Sequence, residues 1–396
     1  MRIAYVCADA GVPIFGHKGC SVHVQEMVRA LRRRGAAVDM FAARVEGQPP
    51  PGLEDVPITP LPVVGDGEPA GHAAAIAELN RELVAVLTRS GPYDIIYERY
   101  SLWSFAGMEL ARATGTPGLL EVNAPLIEEQ AAHRGLRDAE GATRAAARVL
   151  PAAAALLAVS KEVAAWVRRG WRLQGAVHVL PNGVDPQRFR PDVPPANPAL
   201  PGRFTVGFVG SMKPWHGLGV LIHAFAQLRA RVAAAGLLLV GGGPEEAAVR
   251  AALADRGLAP FSCLVGAVPP GQVPAYVTSM DVAVAPYAAE QGFYFSPLKV
   301  YEYMAAGRAV AASRVGQLKT VIRQGVNGLL LPPGDAGALA AALERLHGDI
   351  ELRTRLGREA RASILRRHTW ERVAARVLQV ASMTQRGGRA RVRMQA

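Results

Sequence analysis

The chain has 396 residues, half of them apolar and a fifth charged, with a formal net charge of +12. That length exceeds one ordinary domain of roughly 100 to 200 residues, and the composition excludes a disordered or fibrous chain. The basic residues are scattered and aromatic residues make up only 6%, which argues against a nucleic-acid-binding surface.

The opening MRIAYVCADAG reads as a buried strand and a turn, without the basic start and long apolar stretch of a signal peptide. Residues 2–7 form that strand, 21–34 a helix stopped by Gly35, and 38–42 the next strand. Residues 47–71, rich in Pro, Gly and acid, read as a surface loop. Strands follow at 94–97 and 118–122 with a helix over 105–114 between them. The run 152–159 then leads to Ser160, a cap for a helix over 161–169. Strands alternating with helices predict a parallel sheet with crossovers.

Prolines crowd 189–203 without an apolar period, which predicts a linker. Beyond it strands are expected at 204–210, 236–240, 263–266, 282–286 and 309–312. The helices between them fall at 218–233, 245–256, 270–278 and 299–306. One long helix is expected over 356–383, packing back across the hinge. The basic end, with Arg386, Arg389, Arg391 and Arg393, reads as a solvated tail.

The chain therefore divides into an N-terminal Rossmann-like domain (1–188), a linker (189–203) and a C-terminal Rossmann-like domain (204–365). A helix (366–384) returning to the first domain and a flexible tail (385–396) complete it. The expected fold is α/β, two Rossmann-like domains facing a central cleft, with ligands at the carboxyl ends of the strands and in the cleft. Cys7, Cys20 and Cys263 are odd in number and far apart, which gives no disulfide framework or metal spacing and fits a reducing cytoplasm. No apolar run reaches the about 18 residues of a membrane span, so a cytoplasmic protein, soluble or peripheral to a membrane, is expected.

Two segments carry phosphate-binding chemistry. The strand ending at Val209 runs into Gly210-Ser211-Met212-Lys213-Pro214-Trp215-His216-Gly217 and then a helix. Such a loop offers backbone N–H groups at a helix N-terminus and adds the Lys213 point charge, which suits a diphosphate. An ordinary βα turn with a surface lysine is the plain alternative. In the second segment, Ser296 reads as an N-cap and Pro297 as a first-turn residue, leaving the N–H groups of Leu298 and Lys299 for an anion. Glu302 follows about one turn later, placed to accept from two sugar hydroxyls. Only five lysines stand against forty arginines; Lys18, Lys213 and Lys299 lie in Gly- or Pro-containing loops, where a compact ammonium suits better than a guanidinium fork.

Pro181-Asn182-Gly183-Val184-Asp185, the Gly210 loop, Val240-Gly241-Gly242-Gly243-Pro244, the run 281–287, the Glu302 helix and Asn327-Gly328 through Pro333-Gly334-Asp335 occur in one order. The series resembles the retaining glycosyltransferases of GT-B fold, family four (glycosyl transferases group 1), over nearly the whole chain. The resemblance implies a nucleotide-diphosphate sugar as co-substrate, no bound cofactor, and an acceptor whose identity the sequence leaves open. It implies that Gly16, Lys18 and Gly19 face the donor phosphates or the acceptor. Donor contacts are implied for Ser211, His216, Gly243, Gly266, Tyr294, Ser296, Leu298, Lys299 and Glu302, with Glu302 on the nucleotide ribose.

The chain departs from the family pattern at three points. Tyr294 stands where the first glutamate of a Glu-x7-Glu pair is common, and Ser211 and His216 stand where the family places Arg and Lys. Asn123 matches a common histidine. Lys213, Asn123 and His23 are the catalytic candidates, and Glu128 is an acceptor-side candidate; for His23 and Glu128 a structural or solvated role is the alternative. No Asp-x-Asp signature appears, so metal-independent transfer is expected, with helix N-termini and cations meeting the leaving diphosphate. An epimerase or phosphorylase of similar fold, or an inactive nucleotide- or glycan-binding module, are the competing readings.

Overall fold

The structure, a computed structural model, describes all residues except 66–68, 134, 197–199, 201–202, 289–293 and 396, and omits the side chains of 69, 70, 133 and 387–395 as well. The chain forms two compact units. The first comprises Met1–Asn182, Tyr294–Ser296 and Trp370–Ala396, the second Gly183–Phe293 and Pro297–Thr369.

In the first unit the elements run β1 (Arg2–Cys7), α1 (Gly19–Arg33), β2 (Ala37–Ala42), β3 (Ile58–Pro60), α2 (Pro69–Ser90), β4 (Ile95–Arg99) and α3 (Ala106–Thr114). They continue with β5 (Gly118–Val122), α4 (Leu126–His133), α5 (Ala139–Ala152), β6 (Ala155–Ala158), α6 (Lys161–Gly170) and β7 (Ala176–Val179). The strands pair in parallel in the order β3-β2-β1-β4-β5-β6-β7. The inner strands are covered on both faces, as β5 shows with every residue buried, which is why they read as continuous apolar runs rather than alternating ones. Ser160 caps α6, its hydroxyl accepting from Val163 N at 3.1 Å.

The segment expected as a surface loop departs from that reading. It holds β3 and buries Leu53, Val56, Leu61 and Val64. Pro57 and Pro60 hide the strand from pattern reading, yet Pro60 is tolerated because β3 lies at the sheet edge, where one row of backbone groups needs no partner.

The second unit repeats the plan with β8 (Phe204–Val209), α7 (Leu218–Arg231), β9 (Ala235–Val240), α8 (Glu246–Asp255), β10 (Ser262–Gly266), α9 (Val273–Thr278) and β11 (Val282–Ala285). Then come α10 (Leu298–Ala305), β12 (Ala309–Ser313), α11 (Leu318–Val321), β13 (Leu329–Leu331), α12 (Ala336–Gly348) and α13 (Ile350–Arg367). Its order is β10-β9-β8-β11-β12-β13, again parallel. In both sheets the first strand has its successor on one side and a later strand on the other. That reversal leaves a crevice at the carboxyl ends, between β1 and β4 and between β8 and β11.

The unit boundary falls after Asn182, earlier than the expected end at 188. Val184 bridges Thr369 and Phe189 is buried in the core of the second unit, so residues 183–188 fold with that unit. The expected linker is partly docked as well: Ala196 N donates to Ala275 O at 3.0 Å, and Leu200 is buried. Residues 197–199 and 201–202 of that linker lie outside the described residues.

The single helix expected over 356–383 is two, α13 and α14 (Trp370–Gln395). The break has a backbone cause. His368 O accepts from Val184 N at 3.0 Å and Thr369 pairs with Val184, which takes both residues out of the helical ladder. The backbone of α14 stays helical past 384, into the region read as a tail; the side chains of Arg389, Arg391 and Arg393 lie outside the described residues. Trp370, Ala374, Val377 and Ala381 are buried at helical spacing within the first unit, and Arg33 meets Glu371 at 2.6 Å. Among the described residues no helix is long and apolar enough to cross a membrane.

Candidate functional site

The crevice of the second unit is built from glycines. Gly210, Gly241 and Gly243 have φ of 141°, 130° and 151°. A Cβ on Gly241 would run into Gly210 O, and one on Gly243 would lie 2.7 Å from Met212 O. Their absence lets the loops after β8 and β9 interlock, with Met212 N donating to Gly242 O at 2.9 Å and Glu245 N to Met212 O at 3.0 Å. Gly266, at the end of β10, accepts from Gly241 N at 2.8 Å. Gly217, at φ 69°, caps α7 where a Cβ would strike Pro286 O, so the start of α7 sits against the end of β11.

Lys299 is the unusual group here. It is the second residue of α10, only 9% exposed, and its Nζ has no hydrogen-bond partner among the described residues. The ammonium lies 4.0 Å from the centroid of Phe208 on β8 and 5.7 Å from that of Tyr287, and a Cβ on Gly210 would come within 2.7 Å of it. Burial pulls its pKa down to about 7, against a partial opposing pull from Glu302. An unmatched buried ammonium is costly, and an anionic ligand at the crevice would supply its missing partner.

Ser211 is exposed and Lys213 half-buried, the latter with Nζ 4.8 Å from the Trp215 ring centroid. His216 stands between Phe208 and Tyr287, at 5.8 and 5.7 Å between ring centroids, with Nδ1 against the Ser211 carbonyl. Burial and then Lys299 drive its pKa down to about 3. The ring is therefore neutral near pH 7: Nδ1 donates to the Ser211 carbonyl and Nε2 is left as an acceptor. His216, expected where the family places a cation, is therefore not one. Leu298 and Glu302 are half-buried, and Glu302 follows Lys299 by three residues on the same helix.

The expectation that Ser296 caps α10 is corrected. Pro297 is the cap residue and makes no side-chain bond. The Ser296 hydroxyl instead accepts from Asn182 N at 3.0 Å, and its carbonyl from Asn182 Nδ2 at 2.6 Å, within the first unit. Tyr294 also belongs to that unit, where its hydroxyl donates to Glu129 Oε2 at 2.5 Å.

In the first unit, Gly16 closes a turn with its N–H on Pro13 O at 2.9 Å, and Gln25 Nε2 donates to Gly16 O at 3.0 Å. Lys18 and Gly19 are exposed where α1 begins. His23 is buried, 4% exposed, with Nδ1 donating to Asn182 Oδ1 at 2.8 Å, Nε2 on Glu121 Oε1, and Trp370 edge-on at 5.0 Å. It joins four chain segments within the first unit. Burial alone would raise the Glu121 carboxyl, but His23, Arg99 and Tyr97 together hold it down at about 2. Asn123 is half-buried with an unmatched Nδ2, and Glu128 is exposed, accepting from Trp166 Nε1 at 2.7 Å. Sequence reasoning passed over Arg99, a buried guanidinium closing β4. The signal was present, since two charges ending an apolar run, Ile95-Ile96-Tyr97-Glu98-Arg99, are not what a buried strand needs for packing.

Two doubly wound units, each with a crevice at the carboxyl ends of its strands, define the GT-B class. Solved structures agree on the fold. Sucrose-phosphate synthase from Thermosynechococcus elongatus superposes with a TM-score of 0.75 at 24% identity, covering 97% of this chain and 98% of that one. The Anabaena protein HepE, in complex with UDP-glucose, does so with a TM-score of 0.73 at 20% identity, covering 97% and 100%. The family models described as Glycosyltransferase Family 4 and Glycosyl transferases group 1 match residues 17–188 and 203–349. The D-inositol 3-phosphate glycosyltransferase of Xylanimonas cellulosilytica is 31% identical over 388 residues, 91% of each chain. The phosphatidyl-myo-inositol mannosyltransferase of Mycolicibacterium smegmatis is 34% identical over 218 residues, 54% of each. The chain belongs to the family 4 glycosyltransferases.

Proposed function

We propose that the chain is a retaining, metal-independent glycosyltransferase that moves a sugar from a nucleotide-diphosphate donor to a hydroxyl of a polyol acceptor. The second unit holds the donor and the first the acceptor. The observation that carries this reading is Lys299, a buried ammonium with no hydrogen-bond partner among the described residues, at the end of β8 where α7 and α10 begin. First-turn N–H groups and a cation together suit a diphosphate. The UDP-glucose complex of HepE and the inositol acceptors named for two relatives support the two substrate classes.

The acceptor oxygen attacks the anomeric carbon on the face from which the diphosphate leaves. The bond from that carbon to the acceptor oxygen forms as its bond to the phosphate oxygen breaks. The electron pair departs with the diphosphate, whose oxygen takes the acceptor proton. No protein nucleophile is needed. Lys299, Lys213 and the helix N-termini meet charge that grows on the leaving group, and they are most useful where that charge is largest, in the transition state. Glu302 accepts from the nucleotide ribose.

The test is a panel of UDP-, GDP- and ADP-sugars, with nucleoside diphosphate release followed with and without EDTA and the product anomer read by NMR. Retention of configuration and EDTA-resistant turnover are expected. Inversion, or loss of activity in EDTA that Mg²⁺ restores, overturns the mechanism.

A further inference from the structure

The first unit contains a second group of unmatched donors, which the proposed reaction has not used. Arg99 ends β4, is 9% exposed, and has neither Nε nor Nη1 hydrogen-bonded among the described residues. β4 and β5 run in register with Arg99 beside Glu121. Tyr100 N donates to Glu121 O at 2.8 Å, so the pairing continues one residue past Arg99, and Ser101 and Asn123 follow at the two-residue period of a strand. Ser101 Oγ and Asn123 Nδ2 are buried atoms without partners among the described residues. Ser21, in the first turn of α1, is fully buried with its Oγ unmatched, 3.1 Å from where a Cβ on Gly16 would stand.

These groups lie at the reversal of strand order between β1 and β4, where a doubly wound sheet opens its crevice. Arg99 interacts electrostatically with Glu121, Cys7 and Cys20, the last in the opening turn of α1, which places the guanidinium near that helix N-terminus. Glu121 is the carboxylate that acts most strongly on Arg99, and His23 already engages it. The serine hydroxyls and the Asn123 amide can accept as well as donate, but the Arg99 guanidinium only donates and carries a charge that a neutral hydroxyl would not meet. A phosphate brings several acceptor oxygens and a charge that both a guanidinium and a helix N-terminus favour.

We propose that this crevice binds a phosphate group on the acceptor, with Arg99 as counter-charge and Ser101, Asn123 and Ser21 as donors. The inference rests on the glycosyltransferase reading and names its acceptor class, a phosphorylated polyol. The phosphate can belong to a small ester or to a lipid headgroup, and the experiment separates these sources.

Calorimetry on the full chain measures binding of UDP, GDP and ADP, then of myo-inositol 3-phosphate and myo-inositol with the best nucleotide present. Vesicles of phosphatidylcholine with or without phosphatidylinositol form a third arm. The ester is expected to bind at least tenfold tighter than myo-inositol. Arg99→Gln should weaken it tenfold or more, Arg99→Lys less, and nucleotide affinity should stay unchanged in both. Asn123→Asp, which sets a carboxylate against the phosphate at a half-buried position, gives a second reading should Arg99→Gln lower the melting temperature too far. Selective binding to phosphatidylinositol vesicles, lost in the same variants, supports the phosphate site with a lipid source. Equal affinity for ester and myo-inositol with neither vesicle preferred, or wild-type ester affinity in Arg99→Gln and Asn123→Asp, overturns it. Failure of every nucleotide to bind instead overturns the donor reading, a separate result.

Discussion

The Nζ of Lys299 stands 4.0 Å from the centroid of the Phe208 ring, so the buried ammonium of α10 is held by the π-face of a β8 side chain rather than by a carboxylate. A cation–π contact of this kind offsets only part of the desolvation of a charge, and a diphosphate binding beside it has a strong counter-charge to meet. Lys299→Met should lower kcat by roughly 100-fold or more, the scale of losing one charge-stabilising group, with a smaller effect on donor KM. Steady-state kinetics on the variant decide it; near-wild-type kcat would remove Lys299 from the leaving-group site.

The pH behaviour comes from the same burial. With a folded pKa of about 7 against about 10.4 unfolded, the unfolded chain binds more protons between those values. Stability should therefore rise with pH across that window. Below pH 7 the charge is buried at full cost, so Lys299→Met should melt higher than wild type at pH 6, and the gap should narrow toward pH 10. Donor binding needs the charged form, so nucleotide affinity should fall as pH rises through 7. Calorimetry in buffers of different ionisation enthalpy at pH 7.5 should record proton uptake on binding.

Glu302 opposes the depression of the Lys299 pKa, and removing its charge should have two separable effects. Glu302→Gln should weaken nucleotide binding by about 1.5 to 3 kcal/mol, the range for a hydrogen bond to a charged group. It should also move the pH midpoint of donor affinity below that of wild type. Unchanged affinity and midpoint would remove Glu302 from the ribose site.

His216 enters the kinetics as a neutral ring. With its pKa near 3, activity between pH 5 and 8 should carry no histidine titration from this position, even in Lys213→Ala. His216→Asn, which keeps a donor for the Ser211 carbonyl, should retain most of kcat. A steep alkaline loss specific to Lys213→Ala and abolished by His216→Asn would contradict the neutral assignment.

The alternation of strands and helices, the cap at Ser160 and the Gly210 loop were legible in sequence because each rests on local chemistry. The crevice glycines were legible through the family resemblance. What escaped depends on partners distant in the chain. Ser296 looks like a cap until Asn182 takes its hydroxyl, and the turn at His368 and Thr369 exists because Val184 pairs there. His23, a catalytic candidate in sequence, meets residues about a hundred or more positions away at both ring nitrogens. Arg99 could have been suspected from charge in an apolar strand, but its unmatched nitrogens become visible only once its neighbours are placed.

Glu121 offers a stability test inside the first unit. Its pKa of about 2 lies below the ordinary value near 4.5, so its contribution is present above that ordinary value and is lost as pH falls toward 2. His23→Leu would leave a buried carboxylate without its principal partner, a loss on the order of 3 to 5 kcal/mol. Denaturant melts at pH 7 should show that loss, and the difference from wild type should shrink as pH drops from 5 toward 2.

Trp370, which completes the surroundings of His23, is separated from it by nearly the whole chain, and the first unit also takes in Tyr294–Ser296. A ribosome making this protein therefore delivers the seven strands of the first sheet long before it delivers the helix that covers α1. During that interval the apolar stripe on α1 that later meets α14 is bare, and the emerging N-terminal half is a client for whatever shields such surfaces. Fragments ending near Asn182 should for the same reason be poorly behaved when expressed alone, and should improve when a peptide spanning α14 is supplied in trans.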